Sequence, residues 1–131
     1  MSPAQTNQVR VLIVDDQEAF RTAARTVVAV ARGFVVSAEA ETGEEGVARA
    51  LADRPDVVLM DINLPGIDGL QATRRIVDAW PQARVLLMST YQVEDLPDDT
   101  RNCGARAYVH KEDLSPRLLQ QFADGSYVGG F

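Results

Sequence analysis

The chain has 131 residues, 46% of them hydrophobic, which is enough apolar material for one ordinary core and too little length for two comfortable domains. Its formal net charge of −6 argues against a surface dominated by phosphate-backbone or anionic-lipid contacts, since both call for a basic face. A single cysteine, Cys103, leaves no internal disulfide, the opening MSPAQTNQVR lacks the layout of a secretion signal, and no apolar run nears the roughly 20 residues that span a bilayer; a reducing, cytoplasmic location is expected.

Residues 1–8 read as a disordered lead-in. The first strand is VRVLIV, from Val9 to Val14. A helix over about residues 18–31 follows, with Phe20, Ala24, Val27, Val28 and Ala31 on one face at three- and four-residue steps. FVVSAEA, from Phe34 to Ala40, is the second strand. Thr42 with Glu45 three residues on is a capping-box pattern for a second helix, which buries Val47, Ala50 and Leu51 until Pro55 stops it. DVVLM (56–60) is the third strand. Asp68 caps a third helix whose stripe of Leu70, Thr73, Ile76, Val77 and Trp80 halts at Pro81. RVLLMS (84–89) is the fourth strand. In YQVEDLPDDTRNCGA, Val93, Leu96 and Cys103 have helical spacing, but Pro97 in mid-helix would remove a hydrogen bond and clash with the preceding turn. That element is expected to start late, near Pro97, or to be irregular. ARAYVH (105–110) is the fifth strand, and a last helix from about Leu114 offers Leu114, Leu118 and Phe122 at four-residue spacing. The domain spans 9–123, and 124–131, with DGSYVGGF, reads as a flexible tail.

Strands alternating with helices imply βαβ units: an α/β fold whose parallel strands are covered on both faces and read as continuous apolar runs. Such open sheets hold their ligands at the carboxyl ends of the strands, beside the point where strand order reverses. Asp15 and Asp16 follow the first strand, Asp61 the third, Ser89 and Thr90 the fourth, and Lys111 the fifth. Two carboxylates about 4 Å apart repel by roughly 4 kcal/mol at an effective dielectric of 20, so a cation must compensate. Oxygen ligands without a neighbouring His or Cys suit Mg²⁺, which points to phosphoryl chemistry. Asp61 is then the nucleophile, with Lys111 and Ser89 aimed at phosphoryl oxygens.

Four stretches, VLIVDDQEAFR, VVLMDINLPGIDGLQATRRI, ARVLLMST and GARAYVHKED, lie in this order from about Val9 to Asp113 and cover most of the chain. In identity and spacing they resemble the receiver domain of two-component response regulators, within the CheY-like superfamily and nearest to the receivers that precede a LuxR-type helix-turn-helix domain. The resemblance implies a flavodoxin-like (βα)5 fold with a five-stranded parallel sheet of order 2-1-3-4-5, an arrangement long used as an example of the switch-point rule. It implies that Asp61 accepts a phosphoryl group from a phosphohistidine of a sensor histidine kinase. Asp16, Asp61 and the backbone carbonyl of Asn63 would bind Mg²⁺, with Asp15 helping through water. Lys111 would contact the phosphoryl group, Ser89 would hydrogen-bond it, and Tyr108 would be the aromatic that swings inward. The output surface would be the fourth helix, fifth strand and fifth helix, with a homodimer on phosphorylation left open. RLLQQFADGSYVGGF resembles the last receiver helix and the opening of a linker, so any DNA contact would be made by a further domain and none by this chain. Glu112 stands where many receivers have proline, Gln17 where an acid or histidine is frequent, and Thr90 and Tyr91 are bulkier than usual.

The competing enzyme reading is a Mg²⁺-dependent phosphohydrolase of the haloacid dehalogenase type, which needs an acid two residues after the nucleophile; Asn63 occupies that position and cannot cycle a proton. A nucleotide or flavin module would need a Gly-rich loop where the chain has DDQEAF. A degenerate interaction domain is opposed by the intact set of Asp16, Asp61, Ser89 and Lys111. Trp80, His110 and Cys103 read as structural.

Overall fold

A computed structural model describes residues 8–131; the expected disordered lead-in of 1–8 lies, save for Gln8, outside the described residues. The order is β1 (Val9–Val14), α1 (Glu18–Val30), β2 (Phe34–Ala40), α2 (Gly43–Asp53), β3 (Val57–Asp61), α3 (Gly69–Ala79) and β4 (Val85–Ser89). Two 3-10 turns (Val93–Asp95, Asp98–Asn102), β5 (Ala107–His110), a third 3-10 turn (Lys111–Asp113) and α4 (Pro116–Asp124) complete it. The five strands form one sheet of order β2-β1-β3-β4-β5 with every pairing parallel, the flavodoxin-like α/β arrangement.

Parallel strands need covering on both faces, and the apolar runs supply both at once. Val11, Ile13, Leu59 and Leu86 point to one side, against Ala24 and Val28 of α1 and Leu119 and Phe122 of α4. Leu12, Val58, Met60 and Leu87 point to the other, against Ala50 of α2 and Leu70 and Ile76 of α3. All five residues of β3 and all five of β4 are buried. Full burial of such a side chain contributes about 1.5–3 kcal/mol, so these two central strands anchor the domain.

The starts of α2, α3 and α4 follow side-chain caps. Asp68 accepts from Gln71 N while the Gln71 side chain accepts from Asp68 N, a complete capping box for α3. Thr42 Oγ1 accepts from Glu45 N at 3.0 Å, but the Glu45 carboxylate reaches back to Glu41 N rather than to Thr42 N. The last helix begins at Pro116 behind the Ser115 cap, so Leu119 and Phe122 are its buried residues and Leu114 precedes it. Four-residue spacing alone put Leu114 in register because it ignored the Ser-Pro start. The Pro97 segment is irregular: two short 3-10 turns flank the proline, which caps the second.

Of residues 124–131, read in the sequence as a flexible tail, Asp124 ends α4 and Tyr127, Gly129 and Phe131 lie against the sheet. Gly125 turns the chain in the left-handed region at φ 89° after α4, a conformation that favours glycine. Gly129 then pairs in parallel with Ala107 on the outer edge of β5. No helix among the described residues is long and apolar enough to cross a membrane.

Candidate functional site

The sheet reverses its order between β1 and β3, so their carboxyl ends frame a crevice. The apolar run of β3 keeps the strand buried up to its last residue, Asp61, whose carboxylate meets the rim. Asp15, immediately past β1, is wholly buried, whereas Asp16 beside it is exposed. One carboxylate oxygen from each of Asp15, Asp16 and Asp61 lies within 4.8 Å of the other two.

Lys111 follows β5 and reaches across: its Nζ stands 2.7 Å from Asp15 Oδ2 and 3.5 Å from Asp61 Oδ2. Asp15 Oδ1 accepts from Gln17 N at 2.8 Å, but Oδ2, although close to the ammonium, receives no aligned hydrogen bond. Asp61 Oδ1 accepts from Asn63 N at 3.3 Å. Burial, seconded by the Asp15 charge, pushes the Asp61 carboxyl up to about 6; Lys111 and the Asn63 N–H act in the opposite direction. Asp16, Gln17, Asp61, Asn63, Thr90 and Lys111 line a cavity of about 230 Å³.

Ser89 and Tyr108 form a second group. Both are buried, with Ser89 Oγ 2.7 Å from Tyr108 OH. Ser89 Oγ also accepts from Tyr91 N at 3.0 Å, and Tyr108 OH donates to Tyr91 O at 2.8 Å. Tyr91 OH donates to Asn63 Oδ1 at 3.3 Å, tying this group to the loop after β3. The structure thus brings Asp16, Asp61, Asn63 and Lys111 to one cavity, with Asp15 buried behind it against Lys111 and with Ser89 and Tyr108 paired to each other. His110 is taken up by Thr90 O and Glu112 N, and Cys103 is buried in the core.

Sequence reasoning placed Phe20 among the core residues of the first helix; its ring also lies 4.6 Å from Lys111 Nζ, a cation–π contact. Arg21, not singled out before, donates to Asp15 O at 2.8 Å and pairs with Glu39 at 3.3 Å. The available signal was their place in the first turn of α1, four and five residues past Asp16, on a helix that opens at the rim.

The donor set can hold a metal. Three carboxylates, an unmatched buried acceptor in Asp15 Oδ2 and the absence of nitrogen or sulfur from the cluster suit a hard divalent ion, and Mg²⁺ in particular. Lys111 competes for the same negative charge. Lys111→Ala is therefore expected to bind Mg²⁺ about fivefold more tightly in titration calorimetry, a gain of about 1 kcal/mol after screening at an open rim. Unchanged or weaker binding would show that the ammonium does not balance these acids.

The fold and the acidic pocket fit one class of protein, the response regulator receivers. The response regulator receiver domain model matches residues 11–123, and the chain belongs to that family. It is 35% identical over 114 residues to the transcriptional regulatory protein DegU of Brevibacillus brevis, covering 87% of this chain and 48% of DegU. It therefore spans about half the length of the curated relatives it matches. A two-component response regulator of the LuxR family from Aurantimonas sp. SI85-9A1 superposes with a TM-score of 0.82 at 30% identity, covering 94% of this chain and 89% of that one. A chain of the CheX–CheY–BeF3–Mg²⁺ complex from Borrelia burgdorferi gives a TM-score of 0.76 at 29% identity, covering 95% and 93%.

Proposed function

We propose that this domain, over 9–123, is the phospho-accepting receiver of a two-component system, taking a phosphoryl group from a sensor histidine kinase onto Asp61. The observation that carries this reading is Asp61 at the crevice rim with Asp15, Asp16 and Lys111 converging on it. An Asp61 carboxylate oxygen attacks phosphorus, the bond from phosphorus to the histidine nitrogen breaks, and that nitrogen keeps the electron pair. Asp15, Asp16, Asp61 and the Asn63 carbonyl would hold Mg²⁺, which when bound offsets the charge that keeps an anionic donor away from a carboxylate. The related Borrelia complex, which contains Mg²⁺ and BeF3, supports this choice.

Lys111 pairs with a phosphoryl oxygen, and Ser89 donates its hydroxyl proton to another. Asn63 supplies no proton for turnover, so the only chemistry is uptake and slow loss to water. A phosphoryl group brings a charge of about −2 and strong acceptor oxygens, enough to bias two packings of Ser89 and Tyr108 that differ by a few kcal/mol. A kinase that uses ATP places the domain in the cytoplasm. The likeness to LuxR-family transcriptional regulators supports control of transcription as the output, through a DNA-binding domain outside this sequence, with dimerisation on phosphorylation as the accompanying step.

The test is to incubate the chain with Mg²⁺ and acetyl phosphate. One added phosphoryl mass, lost when Mg²⁺ is chelated beforehand and mapping to the peptide that carries Asp61, is expected. A mass that maps elsewhere, or no adduct at saturating donor and metal, would overturn the reading.

A further inference from the structure

An edge strand with free N–H and C=O groups invites another strand, and β5 is the outer strand on one side of this sheet. The segment after α4 takes that place. Tyr108 N donates to Gly129 O at 2.7 Å and Gly129 N donates to Arg106 O at 3.1 Å, a parallel pairing around Ala107. Tyr127 OH donates to Tyr108 O at 2.6 Å. Both backbone groups of Tyr108 are thus held by the segment, while its phenol is engaged with Ser89 and Tyr91.

The segment also crosses the edge. Tyr127 packs on the α1/α4 side of the sheet and Phe131 on the α2/α3 side. The crossing is made by Gly129 and Gly130 at φ 80° and 86°. At Gly130 a Cβ would fall 2.3 Å from Tyr108 O and 2.7 Å from Tyr127 OH, so only glycine seats there. The chain between β4 and β5 has only two short 3-10 turns, so no α-helix from that connection packs near this edge.

We propose that residues 126–131 are a strap that docks by strand addition on β5, holds Tyr108 inward, and is thermodynamically coupled to occupancy of Asp61. The coupling rests on the phospho-acceptor reading above. Its direction follows from how two hydroxyls share two hydrogens. When Ser89 turns its hydrogen to a phosphoryl oxygen, its Oγ, 2.7 Å from Tyr108 OH, accepts from the Tyr108 phenol, which is then held inward by the side chain that reports occupancy. Docking of the strap on Tyr108 N and O favours that same placement. By linkage, the factor by which occupancy tightens docking equals the factor by which docking tightens occupancy.

The experiment uses the full chain with beryllofluoride and Mg²⁺ as the reversible occupant of Asp61, read by amide exchange over 106–110 and 126–131. Three variants accompany it: Gly130→Val to unseat the strap, Tyr127→Phe to remove one hydrogen bond, and Val128→Ser at an exposed position as a control. Gly130→Val is expected to speed exchange of the Tyr108 amide at least tenfold, Tyr127→Phe a few-fold, and Val128→Ser not at all. Loading the wild type should slow exchange over 126–131 about fivefold, and Gly130→Val should weaken beryllofluoride by a matching factor. No beryllofluoride binding at all sinks the phospho-acceptor reading and the coupling with it. Binding with unaltered strap exchange, or a Tyr108 amide indifferent to Gly130→Val, sinks the strap alone.

Discussion

Asp61→Asn is expected to lose phosphoryl uptake entirely while becoming the more stable protein at neutral pH. The chemical loss is simple, because an amide oxygen is too weak a nucleophile to form the acyl phosphate. The stability gain follows from burial. The Asp61 carboxyl titrates near 6 in the folded chain against 3.8 when free of the fold, so the folded state holds its proton more tightly. That contribution to stability is complete below pH 3.8 and is lost as pH rises through about 6. At pH 7.5 the ionised acid sits beside Asp15, also buried, and works against folding. The full displacement corresponds to roughly 3 kcal/mol. Water at the open rim cuts it to about 1 kcal/mol, or about 4 °C in melting midpoint for a chain of this size.

The gain should appear in metal-free thermal melts at pH 7.5, shrink by pH 5 and vanish near pH 4. Mg²⁺ should raise the wild-type midpoint and leave that of the Asn variant nearly unmoved. Equal midpoints at pH 7.5, or a gain that grows on acidification, would mean that the acid is not strained by its surroundings.

Gly69→Ala is expected to be the costliest small substitution in the molecule. Gly69 opens α3, and its N–H donates to Ile62 O at 2.8 Å, drawing the helix start onto the end of β3. A Cβ there would lie 2.0 Å from Asp61 O and 2.8 Å from Ile62 Cα, both main-chain atoms that no rotamer change can clear. The loop that carries Asn63 must shift or the helix must back away, at a cost of about 3 kcal/mol or more. Urea unfolding should show the midpoint falling with an unchanged slope, and Mg²⁺ affinity should fall with it because Asn63 moves. Gly125→Ala offers the contrast: nothing lies within 4 Å, and only the left-handed φ opposes the methyl, for about 1 kcal/mol. Equal costs at the two glycines would overturn the argument from contact with the β3 end.

Much of this was legible in the residues. Continuous apolar runs, Thr42, Asp68 and the prolines marked elements whose bounds the structure moves by only one or two residues, because each signal acts within a single turn or strand. The convergence of Asp15, Asp16, Asp61 and Lys111 could be read as well, since the ends of parallel strands fall on one rim whatever the loops do. What escaped was contact between segments far apart in sequence. Phe20 beneath Lys111 depends on the rotation of α1 about its axis, and the seat of Gly129 on β5 depends on an edge that only the assembled sheet possesses. Leu119, missed in the last helix, shows the weaker side of periodicity when the start of a helix is misjudged by a residue or two.

β3 is sealed above, below and along both flanks, so the backbone beneath Asp61 has almost no compliance. A new charge on that side chain therefore cannot be absorbed by bending the strand. On the reading that Asp61 takes a phosphoryl group, the deformation would travel sideways into the loops at the strand ends, and a stiff mount of this kind would turn a local chemical event into displacement at a distance.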